Sequence, residues 1–184
     1  YVECMHGYES MLKYVNNQKN RIKNDKPIIG PYHVNKEGSG DMYQKSSLML
    51  HTLRTLIEDD KLWFEILKGI SHDFKYQTID GKDILSYINK KSGKDFTVFF
   101  TQYLQHKDLP EFQYKLIKQG RDVTLMYRWE AITNFDMPIL VNAGKNNFWI
   151  YPNSDWKEKS LGKMDVDDFS VVEDLLLIDI KKIK

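Results

Sequence analysis

The hydrophobic residues of this sequence change their spacing once, after Leu109 and Pro110, and that change constrains the fold more than any other feature. Before it, apolar residues recur every three or four positions, which is the period of an amphipathic α-helix. After it, Val123, Leu125 and Tyr127 alternate with mostly polar neighbours, which is the period of a half-buried β-strand. Helices followed by strands indicate an α+β fold.

The same change predicts where the chain divides. We expect residues 1–109 to form a mainly helical part and residues 110–184 to form a small antiparallel β-sandwich. The length of 184 residues permits one large domain or two small ones, because domains average roughly 150 residues. With 41% hydrophobic and 29% charged residues, the chain has the composition of a folded protein.

Capping signals and periodic apolar residues predict five helices. The clearest begins at Met42, after a loop over residues 24–41 that is rich in glycine and proline. Asp59 and Asp60 are placed to cap the next helix, Asp80 with Asp83 resembles a capping arrangement for the one after that, and Gly93 is placed to end it. The predicted helices lie at residues 8–22, 42–57, 61–72, around 84–88 and at 96–104. The predicted strands lie at residues 114–117, 123–129, 139–142, 148–151, 169–172 and 175–180.

The charge balance argues against two classes of partner. Lys and Arg total 27 and Asp and Glu total 26, so no overall field attracts nucleic acid or an anionic membrane. We therefore expect no nucleic-acid partner. No apolar run approaches the roughly 18 residues of a membrane span, so we also expect no membrane span. The single cysteine, Cys4, cannot form an internal disulfide and leaves the compartment open.

Motifs for metal and nucleotide chemistry are incomplete in this sequence. It has no phosphate-binding glycine loop, no Cys-x-x-Cys pair and no G-x-S-x-G motif. Glu3 and His6 have the i, i+3 spacing of carboxylate-bridged metal sites, but the second pair that such sites need is missing. The histidines form no H-E-x-x-H motif. We expect no metal ligands in this chain and interpret Glu3 and His6 as a solvated helix end.

The second half of the chain carries a group of large aromatic residues that has two interpretations. They are compatible with a sugar-binding face or with the core of a small sandwich, and the core is favoured because aromatic residues dominate core burial. The group comprises Trp129, Phe148, Trp149, Tyr151 and Trp156.

Tyr43, at the start of the helix predicted for residues 42–57, also has two interpretations. Its ring can pack on the first turn while its hydroxyl reaches solvent. Alternatively, Ser46 and Ser47 are small neighbours on the same face, and they would let a ligand approach the ring. A phenol with a pKa of about 10 stays protonated at neutral pH and can donate a hydrogen bond to an oxyanion. The residues alone leave both interpretations open.

Four stretches of the sequence resemble one enzyme family. GDMYQKSSLMLHTLR, residues 40–54, resembles the Y-x-K-G segment and following helix of the gluzincin zinc aminopeptidases, the family of aminopeptidase N and leukotriene hydrolase. YVECMHGYE at residues 1–9 resembles the end of the helix that carries the third zinc ligand there. Residues 27–32 resemble the loop before the tyrosine, and residues 92–103 resemble the last helix of the catalytic domain. The similarity covers about residues 1–130.

The resemblance implies a fold, an activity and one catalytic residue. The fold would be the helical C-terminal part of a thermolysin-like catalytic domain, followed by the β-sandwich. The activity would be release of N-terminal amino acids from a peptide substrate by metal-activated water, with Tyr43 stabilising the tetrahedral intermediate. Lys45 takes the position of the motif lysine, and Ser46 stands where the family usually has glycine. The resemblance implies zinc in a full-length parent, because nothing here matches the family's zinc ligands or general base.

A non-catalytic role is the alternative. The helices and the sandwich would then form an interaction module, as in a pseudoenzyme or a scaffold. In either case, we expect the isolated chain to be inactive as a peptidase. We also expect the apolar faces of residues 8–22 and 42–57 to be partly exposed and to favour dimerisation.

Overall fold

The computed structural model describes residues 1–184 and has six α-helices followed by two β-sheets. The α+β fold predicted from the sequence is confirmed. The helices are α1 (Val2–His6), α2 (Tyr8–Asn16), α3 (Gln44–Ile57), α4 (Asp60–Asp73), α5 (Gly81–Ser92) and α6 (Thr97–Gln105). The strands are β1 (Glu111–Gln119), β2 (Asp122–Glu130), β3 (Ile139–Ala143), β4 (Asn146–Ile150), β5 (Lys157–Lys163), β6 (Phe169–Val171) and β7 (Asp179–Lys182).

The helix boundaries follow the predicted caps closely. The Asp59 carboxylate accepts a hydrogen bond from the backbone N–H of Leu62 and so begins α4. Asp80 and Asp83 form a reciprocal capping box at the start of α5. Gly93 ends α5 with φ at 69°, in the left-handed region that glycine adopts without strain. These three predictions are confirmed.

The helix predicted for residues 8–22 is wrong in its second half. It ends at Asn16 and is followed by a separate 3-10 turn, Lys19–Arg21. The Asn16 side-chain amide donates to the carbonyls of Leu12 and Asp174, both at 3.0 Å. Residues 16–21 are all polar, so continuing the helix through them would bury no apolar face.

The strands form a mixed sheet and an antiparallel sheet. The mixed sheet has the order β5-β2-β1-β7 and the antiparallel sheet has the order β4-β3-β6. Every neighbouring pair is antiparallel except β1 and β7, which run parallel with Glu111 opposite Asp179. The prediction of a wholly antiparallel arrangement is therefore wrong for this pair. A parallel pair needs a long crossover, and almost the whole strand region lies between these two strands.

Two strand predictions also need correction. Residues 175–180 do not form one strand, because Leu176, Leu177 and Ile178 are buried in extended or irregular chain and β7 begins only at Asp179. Strand β5 was not predicted, because its sequence Lys-Glu-Lys-Ser-Leu-Gly-Lys has little apolar alternation. It is an edge strand, where charged residues are common.

One hydrophobic cluster of 25 buried residues extends through helices and sheets. The buried hydroxyl of Tyr103 on α6 donates to the carbonyl of Leu177 at 2.6 Å, and the N–H of Leu177 donates to the hydroxyl of Thr52 on α3 at 2.8 Å. The segment before β7 is thus bonded to two helices. The change from helix to strand falls between Gln105 and Glu111, and the division into two domains stays a prediction. None of the helices combines the length and apolar content required to cross a membrane.

Candidate functional site

Tyr43 lies at the junction between a short 3-10 helix, Gly40–Met42, and α3. Its side chain is 73% exposed and its hydroxyl has no hydrogen-bond partner in the chain. Its backbone carbonyl accepts from the N–H of Ser47 at 3.1 Å and so forms the first turn of α3. The phenol is therefore free to donate a hydrogen bond to a molecule outside this chain.

Asp41 holds the chain just before Tyr43. This residue is only 3% exposed, and its carboxylate accepts hydrogen bonds from the backbone N–H groups of Lys23 and Asn24, the latter at 2.7 Å. Its own N–H donates to the Ser39 hydroxyl at 3.1 Å. The segment that enters α3 is thereby bonded to residues 23 and 24, which follow the 3-10 turn Lys19–Arg21.

Lys45 holds the chain just after Tyr43. It is 1% exposed, and its ammonium group donates to the backbone carbonyls of His106 and Lys107 at 3.2 and 2.6 Å. Burial lowers the pKa of Lys45, while nearby carboxylates, with Asp41 foremost, act in the opposite direction. The first turn of α3 is thereby tied to the loop between α6 and β1.

The glycine- and proline-rich loop before Tyr43 is closely folded. A Cβ on Gly38 would lie 1.7 Å from the carbonyl oxygen of Ile28, so only glycine fits there. The N–H of Ile29 donates to the carbonyl of Leu104 at 2.9 Å and anchors the loop to α6. A cavity of about 390 Å³ lies against this loop and includes Tyr32 and Gln105 in its lining.

Glu3, considered above as half of a metal-binding pair, instead pairs with an arginine. Both of its carboxylate oxygens accept from the Arg54 guanidinium, at 2.6 and 2.9 Å. Asp60 binds the same guanidinium at 2.7 and 2.8 Å. Hydrogen bonding to Arg54 holds the pKa of both carboxyl groups below their usual range. His6 is exposed and does not take part in this cluster.

The histidines do not come together. His33, His72 and His106 are exposed on separate segments, whereas His51 is buried on α3. Burial lowers the pKa of His51, and the positive charge of Arg54 acts in the same direction. No group of three or more His, Cys, Asp or Glu side chains is arranged to hold a metal ion.

The five aromatic residues of the second half divide between core and surface. Trp129 is buried, and its indole N–H donates to the Met137 carbonyl at 2.9 Å. Phe148 and Trp149 are half-buried, whereas Tyr151 and Trp156 are exposed. The core interpretation therefore holds fully for Trp129 only.

Sequence reasoning missed a large cavity that lies between the helices and the strands. It has a volume of about 460 Å³. Its lining comes from the end of α3, the start of α6, the loop before β3 and the residue after β4, including Phe96, Phe99, Phe135 and Met137. No motif marks it, because these residues are far apart in the sequence and meet only after folding.

The comparisons with known proteins give matches in structure and none in sequence. No family model and no curated protein matches the sequence. A solved structure, aminopeptidase A of Legionella pneumophila in complex with aspartic acid, matches with a TM-score of 0.66 and 12% identity. This chain shares its fold with part of an aminopeptidase. The match covers 94% of this chain but only 23% of the Legionella protein, and at this identity it establishes the fold alone.

Proposed function

We propose that this chain is the C-terminal part of the catalytic unit of a zinc aminopeptidase of the gluzincin type. In this proposal Tyr43 donates a hydrogen bond to the oxyanion of the tetrahedral intermediate formed when an N-terminal amino acid is released from a peptide. Developing negative charge is stabilised most effectively by a donor that is already in place. Tyr43 is therefore the residue of this chain that contacts the reacting atoms.

One observation carries the proposal. The hydroxyl of Tyr43 is exposed and unpaired at the start of a helix whose first turn is held by buried residues on either side. Exposure alone does not distinguish Tyr43, because Tyr32 and Tyr76 are 72% and 95% exposed; what distinguishes it is its position at the start of α3, between the buried residues Asp41 and Lys45. The fold shared with an aminopeptidase, and the Y-x-K pattern at Tyr43 and Lys45, support the same assignment.

The zinc ion in this proposal belongs to the longer parent. The His, Cys, Asp and Glu side chains of this chain do not fit a zinc site, because no three of them converge. The nearest candidate, Glu3, has both carboxylate oxygens bonded to Arg54. The part assigned to this chain is the oxyanion donor alone.

The test is the Tyr43→Phe variant of the full-length parent, assayed with aminoacyl fluorogenic substrates. Losing one oxyanion donor should lower kcat by about 10²–10³, equivalent to about 2.7–4 kcal/mol. Bound zinc, measured by elemental analysis, should be unchanged. Tyr76→Phe is the matched control, since the Tyr76 side chain is 95% exposed and its hydroxyl is unpaired.

The results also separate the proposal from the alternative of a non-catalytic interaction module. Near-wild-type turnover in the Tyr43→Phe variant would rule out the assigned role of the tyrosine. A parent sequence without H-E-x-x-H upstream of this chain would favour the interaction module and remove the peptidase. Peptidase activity of the 184-residue chain alone, with zinc added, would contradict the assignment of the metal site to the parent.

A further inference from the structure

We infer that Asp41 and Lys45 are positioning residues, which together fix the backbone of Tyr43 and thereby the direction of its hydroxyl. The inference rests on the proposed function of Tyr43 and assigns residues that act through it. Neither side chain needs to touch the substrate. Each is buried, and each bonds to the backbone of a different segment.

The need for such residues follows from the surroundings of Tyr43. Its ring is exposed and its hydroxyl is unpaired, so the side chain itself holds nothing in place. It also lies at the N-terminus of α3, and helix ends fray. Tyr43 is itself the N-cap residue of α3, and its side chain makes no capping hydrogen bond. The usual local stabilisation of a helix start is therefore absent as well. Restraint must therefore come from neighbouring residues.

Asp41 and Lys45 hold the chain on opposite sides of Tyr43, the first as a hydrogen-bond acceptor and the second as a donor. Asp41, two residues before Tyr43, accepts from the N–H groups of Lys23 and Asn24. Lys45, two residues after Tyr43, donates to two carbonyls in the loop between α6 and β1. The five-residue segment 41–45 is thus fixed to two separate parts of the fold, with Tyr43 at its centre.

The stability of the fold does not explain why a lysine occupies this buried position. A buried ammonium loses hydration, and this ion makes no salt bridge within the chain. Methionine has a similar length and would fill the same space without that loss. What methionine cannot supply is a directed bond from the first turn of α3 to the loop between α6 and β1.

The first experiment measures geometry in the 184-residue chain and needs no activity. Hydrogen exchange at the Ser47 amide reports on Tyr43 directly, because that N–H donates to the Tyr43 carbonyl. In Lys45→Met and Asp41→Asn, protection at Ser47 should fall about tenfold or more, whereas protection at Leu53, deeper in α3, should be retained. Lys68→Met and Asp155→Asn, which change exposed side chains without hydrogen bonds, should leave both amides unchanged. Unchanged Ser47 protection in both test variants would overturn the inference.

The second experiment measures catalysis in the full-length parent. Lys45→Met and Asp41→Asn should each lower kcat about tenfold or more, with KM and bound zinc little changed. In a Tyr43→Phe background the same substitutions should cause no further loss, because they act through the tyrosine. Equal losses in the presence and absence of the Tyr43 hydroxyl would overturn the inference. Wild-type turnover in Tyr43→Phe alone would instead rule out the proposed function of Tyr43. Hydrogen exchange at Ser47 would still decide whether Asp41 and Lys45 hold the backbone of Tyr43.

Discussion

At the scale of single residues, Arg54 joins parts of the chain that are distant in sequence. It lies on α3, and its guanidinium binds Glu3 on α1 and Asp60 at the start of α4. The side chain of Arg54 is 12% exposed, and its hydrogen bonds to both carboxylates raise its own pKa. Planar bidentate pairing of this kind is the arrangement in which arginine binds carboxylates most strongly.

This cluster predicts a pH dependence of stability. The folded pKa values of Glu3 and Asp60 lie below their ordinary values of 4.5 and 3.8, because both carboxylates bind Arg54. The unfolded chain therefore binds protons more readily, so the stabilisation is fully present above about pH 5 and is lost as pH falls through the depressed folded values. As the pH is lowered from 7 to about 3, the free energy of unfolding measured with urea should fall less in Arg54→Met than in wild type.

Lys61→Met is the control for that measurement. Lys61 pairs with Glu65 at 4.0 Å on the surface of α4, and both side chains are exposed. Exposed pairs contribute little to stability, so this variant should keep the wild-type pH dependence. An identical pH dependence in Arg54→Met and wild type would contradict the proposed contribution of Glu3 and Asp60.

At the scale of elements, α5 shows how a short sequence signal determines a helix start. Asp80 accepts from the N–H of Asp83 at 3.2 Å, and the Asp83 carboxylate accepts from the N–H of Asp80 at 2.9 Å. Both partners lie within four residues, so the signal can be read without knowledge of the rest of the fold.

Asp80→Ala should lower the free energy of unfolding by about 1 kcal/mol, because it leaves N–H groups at the start of α5 without their acceptor. Chemical denaturation measures the change. Ser86→Ala, on the exposed side of the same helix, should leave stability unchanged or slightly raised. A loss for Ser86→Ala as large as that for Asp80→Ala would show that the cap is not the cause.

The sequence predicted elements well where the signal was local and poorly where the partner was distant. The caps of α4 and α5 and the alternation in β2 are local, and all were predicted. The parallel pairing of β7 depends on a strand some seventy positions earlier, and β5 depends on its place at a sheet edge. No periodicity within either segment contains that information.

The candidate site follows the same rule. The exposed tyrosine at a helix start and the lysine two residues later were visible in the sequence. The bonds from Asp41 and Lys45 were not, because their partners are backbone groups, which every residue carries. The large cavity was also invisible, since four separate segments line it.

At the scale of the whole molecule, the helices and the strands share one hydrophobic cluster. We therefore predict one cooperative unfolding transition. Far-UV circular dichroism reports mainly on the helices, and tryptophan fluorescence reports mainly on residues 110–184, which hold three of the four tryptophans. The two transitions should coincide. Separate transitions would instead support independent folding of the two predicted domains.

A second prediction at this scale concerns association of the isolated chain. Tyr8 and Tyr14 on α2 and Leu50 on α3 remain exposed, although most of the apolar face of α3 is buried within the chain. Exposed apolar surface favours self-association, so sedimentation velocity should detect a dimer as concentration rises. Tyr14→Lys and Leu50→Lys should weaken it. A monomer at every concentration would contradict the prediction.

The position of Leu177 has a consequence for how the chain is made. Its N–H bonds to Thr52, 125 residues earlier, and its carbonyl bonds to Tyr103, 74 residues earlier. Synthesis on the ribosome delivers α3 and α6 long before this segment. Until translation has passed residue 177, the segment that bonds to both helices is missing and their apolar faces remain partly uncovered. The nascent chain must therefore keep this site open during synthesis, and chaperones have access to it for that interval.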